Sequence, residues 1–383
     1  MTQELMIEFA RCTGLSPAAE IPRRYLWTDS FAVCNYLGLY GDTGDQRYRD
    51  LALDLVDQVH RTLGRHREDD PRSGWISGLG EQKGERHPTI GGLRIGKAMN
   101  ECGPGDPYEE VLEWERDGQY FHYLTKWMHA LNRVSRVTGD PIYNRWAAEL
   151  AKTAHTRFTY TPSFGARKRM YWKMSIDLSR PLVPSMGQQD PLDGYIACNR
   201  LQHCRPGGEA ETAGPDLLGE ITELAEICRG QSWVTDDSLG IGGLLCDAWT
   251  VAQMTVNCGF SQPELLENLL DASLAGVQSF SQTDALHLPA TYRLPFREFG
   301  LSIGLRAVQR LQGSMQQQPG RLENHQRLHE TVGILMGYLP LVKDIEAFWL
   351  DPLNQKAETW TGHLDINTVM LATNLSPDGF LTV

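Results

Sequence analysis

Two kinds of helical segment alternate along this chain, and that alternation constrains the fold more than any other feature. One kind is amphipathic. From Tyr48 to His66, one stripe carries Tyr48, Leu51, Leu55, Val56, Val59 and Leu63, the spacing of a helix with one face in water. The same period recurs at 141–158 (Ile142, Trp146, Leu150, Ala154, Phe158), 216–229 (Leu217, Ile221, Leu224, Cys228), 263–280 (Leu266, Leu269, Leu270, Leu274, Val277) and 325–341 (Leu328, Val332, Leu335, Met336, Leu339). Between these lie segments that are apolar or small on nearly every face, at 31–40, 120–131, 193–201, 239–254, 299–308 and 366–373. A helix that is hydrophobic all round is buried on all sides. Gly240, Gly242 and Gly243 lower helix propensity in one of them, which is tolerable where close helix packing needs them. With Gln3–Cys12 as a sixth outer helix, the expected fold is all-α: one domain over 1–383, an (α/α)6 toroid of six inner and six outer helices. The inner helices are expected to be parallel and to begin near residues 28, 118, 191, 236, 297 and 364.

A weak repeat agrees. GDTGDQRYRDLA (41–52) and VTGDPIYNRWAA (137–148) share T-G-D-x-x-Y-x-x-x-A where an inner segment turns into an outer one. Asp140 is a suitable N-cap there, with Pro141 as the first helical residue. With these turns, and with the aromatic and acidic residues at the inner-helix starts, the chain resembles the six-hairpin glycosidase superfamily over most of its length. That resemblance implies the (α/α)6 barrel. It also implies a carbohydrate-active enzyme, since the superfamily holds unsaturated glucuronyl hydrolases, other glycosidases and sugar 2-epimerases.

Two long segments lack helical period, 67–117 and 159–189. Their Trp, Tyr and Met content marks them as lids at the barrel mouth rather than linkers, and MYWKMSIDL (170–178) alternates like a short strand. The first is expected to bring Trp75 or His87 to the pocket. With 36 Lys+Arg against 48 Asp+Glu, the net charge is −12, which argues against nucleic acid or an anionic membrane as partner. No secretory leader is legible, and no stretch reads as a membrane span. The eight Cys form no CxxC pair and read as free, buried thiols of a cytoplasmic protein.

Chemistry concentrates at the starts of the inner segments. Trp27-Thr28-Asp29 precedes the first and Trp114 through Asp117, Gln119, Tyr120 and His122 the second. Asp190-Pro191-Leu192-Asp193 precedes the third, Trp233 through Asp237 the fourth, Phe296-Arg297-Glu298 the fifth and Trp360 through His363 to Asp365 the sixth. Parallel helices would gather these N-termini, with their free N–H groups, at one end. Each acid alone reads equally as a helix cap, and Asp190-Pro191 is close to an ideal cap pair. Trp before four of six starts is not explained by capping. Aromatic rings cover the C–H faces of sugars, and carboxylates accept their hydroxyls.

The expected ligand is therefore a small carbohydrate or oligosaccharide, with neither metal nor cofactor. Asp29, Asp117, Asp193, Asp237 and Glu298 supply acid and base candidates for glycoside hydrolysis. Trp27, Trp75, Trp114, Tyr120, His122, Asp190, Arg297, Trp360 and His363 are substrate-binding candidates. The alternatives are a sugar 2-epimerase or isomerase working through His122 and His363, whose imidazoles exchange protons near neutral pH, and a non-catalytic carbohydrate-binding module. Gly91-x4-Gly96-Lys97 imitates a phosphate loop but lacks the Ser/Thr that follows the Lys. His325 and His329 lack the Glu of a zinc helix. The Arg167-Lys168-Arg169 run is either a solvated loop or a partner for a sugar carboxylate.

Overall fold

The computed structural model describes every residue except 108, 164, 166, 184, 205–213 and 318–325. The structure is all-α. Its strands are two or three residues long: β1 Gln119–Tyr120, β2 Thr159–Tyr160, β3 Arg169–Met170, β4 Lys173–Met174 and β5 Pro181–Val183. Contacts divide the chain into two compact units, Ala10–Gln231 and Met1–Phe9 with Ser232–Val383. The N-terminal helix α1, Thr2–Cys12, straddles the division.

Three helical pairs build the unit Ala10–Gln231. They are α2 (Leu26–Thr43) with α3 (Gln46–Leu63), α6 (Phe121–Thr138) with α7 (Pro141–Phe158), and α8 (Asp190–His203) with α9 (Leu218–Cys228). Helix α2 is buried at every position from Leu26 to Leu37, as an all-round apolar segment requires. Helix α3 buries the expected stripe. On α7 the buried face is turned from the expected one, to Ala147, Leu150, Ala151, Ala154 and Phe158, and Trp146 is half-buried.

The T-G-D repeat is a helix-reversal device with the same bonds in both copies. Gly44 and Gly139 close α2 and α6 in the left-handed region, at φ 70° and 75°. Asp45 and Asp140 then cap α3 and α7 by accepting from the N–H of Arg47 (3.0 Å) and Ile142 (2.9 Å). Glycine takes positive φ without a Cβ penalty, and Asp satisfies a free helix N–H.

The segment after α3 is well packed. It holds the short helices α4 (Glu81–Arg86) and α5 (Glu110–Glu113) and buries Trp75, Ile76, Leu93 and Ile95. The N–H of Ile95 donates to Gly118 O (2.8 Å) and its carbonyl accepts from Leu26 N (3.0 Å), so the segment is laced to the starts of α2 and α6. The expected strand at 170–178 is realised only as β3 and β4; β4 pairs antiparallel with β1 and β5.

The other unit holds α10 (Ser238–Asn257), α11 (Pro263–Ser281), α12 (Pro295–Gln317), α13 (Gln326–Met336), α14 (Pro340–Leu350), α15 (Glu358–Thr361), α16 (Leu364–Leu375) and α17 (Asp378–Leu381). Helices α10 and α12 cross where Gly242 meets Gly300 and Gly304. A Cβ on Gly304 would stand 2.7 Å from the Gly242 Cα, and one on Gly242 would overlap the Gly300 carbonyl. Helix α10 reaches the length and hydropathy of a membrane span, against expectation, and it is packed against α11 and α12. The expected single helix at 325–341 is two helices, because Pro340 starts α14 after a turn at Gly337–Leu339; His325 lies outside the described residues. Helices begin at 26, 121, 190, 238, 295 and 364, each within three residues of a start expected from the sequence.

Six cysteines are free: Cys12, Cys34, Cys102, Cys198, Cys228 and Cys246. Cys204 and Cys258 are each disulfide-bonded, a correction to the expectation of eight thiols. Disulfide geometry depends on Cα separation in space, which linear spacing does not report.

Candidate functional site

In the unit Ala10–Gln231 the first turns of α2, α6 and α8 meet. The phenol oxygens of Tyr25, before α2, and Tyr123, on α6, are hydrogen-bonded at 2.7 Å. Beside Tyr123, with ring centroids 4.9 Å apart, His122 places its Nδ1 3.4 Å from Asp190 Oδ1 on α8. One turn further, Lys126 Nζ lies 3.4 Å from Asp193 Oδ2. Residues four apart on one helix thus face residues three apart on its neighbour, the spacings that share a helix face.

An aromatic wall stands over this pair of contacts. The β1–β4 pairing sets Tyr120 opposite Lys173, which brings the preceding Trp172 to the site. The Trp172 ring lies nearly parallel to His122, with centroids 6.3 Å apart and planes at 14°. It also meets Tyr120 and Trp114, each at 5.1 Å. Trp114 is 48% exposed, and the segment carrying it is pinned from beneath by Lys173. The Lys173 ammonium is fully buried and donates to Glu113 Oε1 (2.7 Å), Glu113 O (2.7 Å) and Arg116 O (2.8 Å). Burial pushes its pKa down, and Glu113 opposes that.

Electrostatically, Asp190 is the unusual member. The sequence offers it both as a helix cap and as a substrate-binding candidate; it is the first residue of α8, and its side chain turns toward His122 rather than capping. Burial pushes its carboxyl pKa up, with Asp193 adding to the rise and His122 and Lys126 opposing it. Neither its Oδ2 nor His122 Nδ1 has a hydrogen-bond partner: the two side chains are close but not aligned for a bond. Gly187 makes room for this carboxyl, since a Cβ there would fall 2.6 Å from it. The His122 side chain is 26% exposed and that of Asp190 only 6%. The arrangement is an accessible imidazole backed by a buried carboxyl, beside an ion-paired Lys and Asp and under aromatic rings. It can hold an apolar sugar face and move protons.

Of the residues singled out in the sequence, the structure brings together Trp114, Tyr120, His122, Asp190 and Asp193. Others lie elsewhere. Trp27 belongs to the core, 7% exposed and packed on Phe31 at 4.5 Å, so it is no stacking surface. Asp29 is buried, reaching back to the Tyr25 N–H (2.9 Å) and lying 3.5 Å from Arg24. Asp117 is fully buried among four donors: Arg94 Nη1 (2.9 Å), Arg67 Nη1 (3.4 Å), Gly96 N (2.9 Å) and Gly118 N (3.1 Å). Its oxygens are committed to holding the loop that precedes α6. Trp75 is 3% exposed, lining a separate cavity with His60, and His87 contacts Glu149 at 2.8 Å. Arg167 donates to the closing carbonyls of α9 at Glu226 and Ile227, and Lys168 pairs with Glu223 at 2.6 Å. That run therefore ties down a loop.

The remaining candidates belong to the unit Ser232–Val383. Asp237 caps α10 through Gly240 N (3.0 Å) and pairs with Arg297 at 2.5 Å. His363 lies edge-on to Phe296 at 5.9 Å. Glu298 is enclosed by Arg293 (2.8 and 2.6 Å) and Trp349 Nε1 (2.8 Å), which leaves it no free oxygen for chemistry. Trp360 is buried against Trp349.

Sequence reasoning missed Tyr25, Tyr123, Lys126 and Trp172. Lys126 is one turn after His122, a signal that acquires meaning only once α8 is known to face α6. Trp172 depends on the long-range β1–β4 pairing. Among the described residues no group of three or more His, Cys, Asp or Glu is placed to hold a metal ion.

No family model matches the chain. No curated protein matches it either. Among solved structures it is similar to the crystal structure of a sugar epimerase from a ruminal bacterium, at 11% identity and a TM-score of 0.47, over 92% of this chain and 87% of that one.

Proposed function

We infer that the site at the starts of α6 and α8 binds a sugar and transfers a proton at a carbon next to its carbonyl, as a sugar 2-epimerase or isomerase does. The observation that carries this reading is His122: an accessible imidazole 3.4 Å from the buried carboxyl of Asp190, stacked beneath Trp172. Imidazole is the side chain suited to taking and returning a proton near neutral pH. A ring-opened aldose presents C1 as a carbonyl and C2 as its acidic neighbour. His122 takes the C2 proton, and the electrons of that C–H bond form the enediolate; return of the proton by the His122 imidazolium restores the starting sugar, and a proton delivered by solvent to the opposite face gives the epimer. Asp190, 3.4 Å away, stabilises the charged form of the imidazole. Trp114 and Trp172, backed by Tyr120, cover the apolar face of the sugar, and Lys126 and Asp193 meet its hydroxyls.

Glycoside hydrolysis is the second reading, and one observation favours it. Two carboxyls lie three residues apart on α8, Asp190 buried beside His122 with a raised pKa and Asp193 beside the Lys126 ammonium. Glycoside hydrolysis draws on a pair of carboxyls. Incubating the protein with reducing aldoses and with disaccharides, followed by chromatography, separates the readings. A new epimer at constant chain length supports the first, and release of shorter sugars supports the second. Retained binding with neither product leaves a carbohydrate-binding module.

A further inference from the structure

A second cavity, of about 120 Å³, opens in the unit Ala10–Gln231 between α3, α7 and the loop around α4. Its walls include Leu53, Val56, His60, Trp75, Tyr143 and Trp146. None of these takes part in the site described above.

Two of these walls hold unused donors. His60 Nε2 accepts from the Trp127 indole N–H at 3.2 Å. An indole nitrogen only donates, so the neutral His60 ring carries its proton on Nδ1. That N–H has no partner among the described residues, although the ring is 4% exposed. The Trp75 indole nitrogen is likewise buried without a partner, in a residue 3% exposed. Leaving a buried N–H unbonded costs about 1–3 kcal/mol, and the Trp75 indole is such a group. The fold has also made space for Trp75: a Cβ on Gly84 would collide with its indole, and one on Gly64 would come 3.2 Å from its ring.

The charges nearby are already used. Arg61 pairs with Asp57 at 2.9 Å and with Glu85 at 3.2 Å, and Arg65 pairs with Glu81 while lying over the Trp75 ring. Burial holds the His60 pKa down at about 3, so its ring adds no positive charge across the ordinary pH range. With the lining cation Arg61 already paired, the lining acids Asp57 and Glu85, neutral donors and the rings of Tyr143 and Trp146, the lining does not favour an anion. It suits a neutral ligand with an apolar face and acceptor oxygens.

We propose that this cavity is a second, non-catalytic binding site for one neutral sugar unit, held by the His60 and Trp75 N–H groups against Trp146 and Tyr143. The site does not depend on the reaction assigned to His122. The probe is methyl glucoside, which has no free carbonyl and is no substrate for epimerisation, with glucuronate as the anionic control. The readout is the indole ¹H–¹⁵N resonance of Trp75, assigned with Trp75→Phe. Methyl glucoside is expected to move that resonance and glucuronate to leave it in place. Leu53→Trp, which fills the cavity while keeping both donors, is expected to abolish the shift and leave turnover of an aldose unchanged. His60→Phe is expected to weaken binding about tenfold, the loss of one hydrogen bond. Trp172→Ala is expected to impair turnover and leave the shift intact. No movement of the Trp75 resonance at saturating methyl glucoside, or a shift that survives Leu53→Trp, overturns the proposal.

Discussion

Burial raises the pKa of Asp190, and the raised value has a sign that can be measured. As pH climbs through the ordinary carboxylate range near 3.8, the unfolded chain releases this proton before the folded chain does. Stability is therefore lost as pH rises through that window and on to the folded pKa, the reverse of a salt-bridged carboxylate. Asp190→Asn removes the liability, so its melting temperature should equal or exceed that of the wild type at pH 7, with the gap closing below about pH 4. The same variant should lose about tenfold or more in activity, because an opposite charge within about 4–6 Å favours the charged imidazole by roughly 1–3 pKa units. A melting temperature well below wild type at pH 7 would make Asp190 structural. Asp117 behaves in the opposite way. Two arginines and two backbone N–H groups converge on it, so Asp117→Asn should cost about 3–5 kcal/mol in chemical denaturation, as breaking a buried pair does. A neutral effect would refute the anchoring role. Asp117 and Asp190 are both acids at an inner-helix start, and composition alone cannot tell them apart. What separates them is Arg67 and Arg94 folding back onto one, and Gly187 clearing space beside the other.

At the scale of the helices, most of the fold was legible, because periodicity reports burial directly. The α2 segment is apolar on nearly every face and is enclosed, and α10 is buried over most of its length. The α3 stripe is buried residue for residue. The T-G-D turns were legible because each residue in them does one local job. Local chemistry does not report rotation about an axis, which is why the α7 face was misjudged, nor a break such as that before Pro340, where an apolar period runs on through a turn. The β1–β4 pairing was invisible for the same reason that Trp172 was: its partners are more than 50 residues apart. Close packing at Gly242 was legible as a possibility from its cost in helix propensity. Gly242→Ala places a methyl group against the Gly300 carbonyl, and the expected loss is about 1–3 kcal/mol of overpacking strain. A thermal shift indistinguishable from wild type would mean that the α10–α12 crossing has slack.

For the whole molecule, the sequence reads as one domain over 1–383, while contacts divide it into two compact units. Calorimetry distinguishes the two descriptions. A single domain gives one cooperative transition whose calorimetric and van't Hoff enthalpies agree, and independently unfolding units give two. The reaction tests the functional reading more sharply than any structural quantity. If His122 moves the proton at C2, an aldose incubated with the protein in D₂O must acquire deuterium at that carbon, because an imidazole exchanges its proton with solvent between abstraction and return. The measurement is the C2–H signal of the recovered sugar by proton NMR, for wild type and for His122→Asn, which keeps a polar side chain but no base. The account predicts loss of the C2–H signal with wild type, slowed about 10²–10⁴-fold in His122→Asn, the usual contribution of a general base. Full retention of hydrogen at C2 in a sugar that the wild type converts, or equal exchange rates in the two proteins, would contradict it.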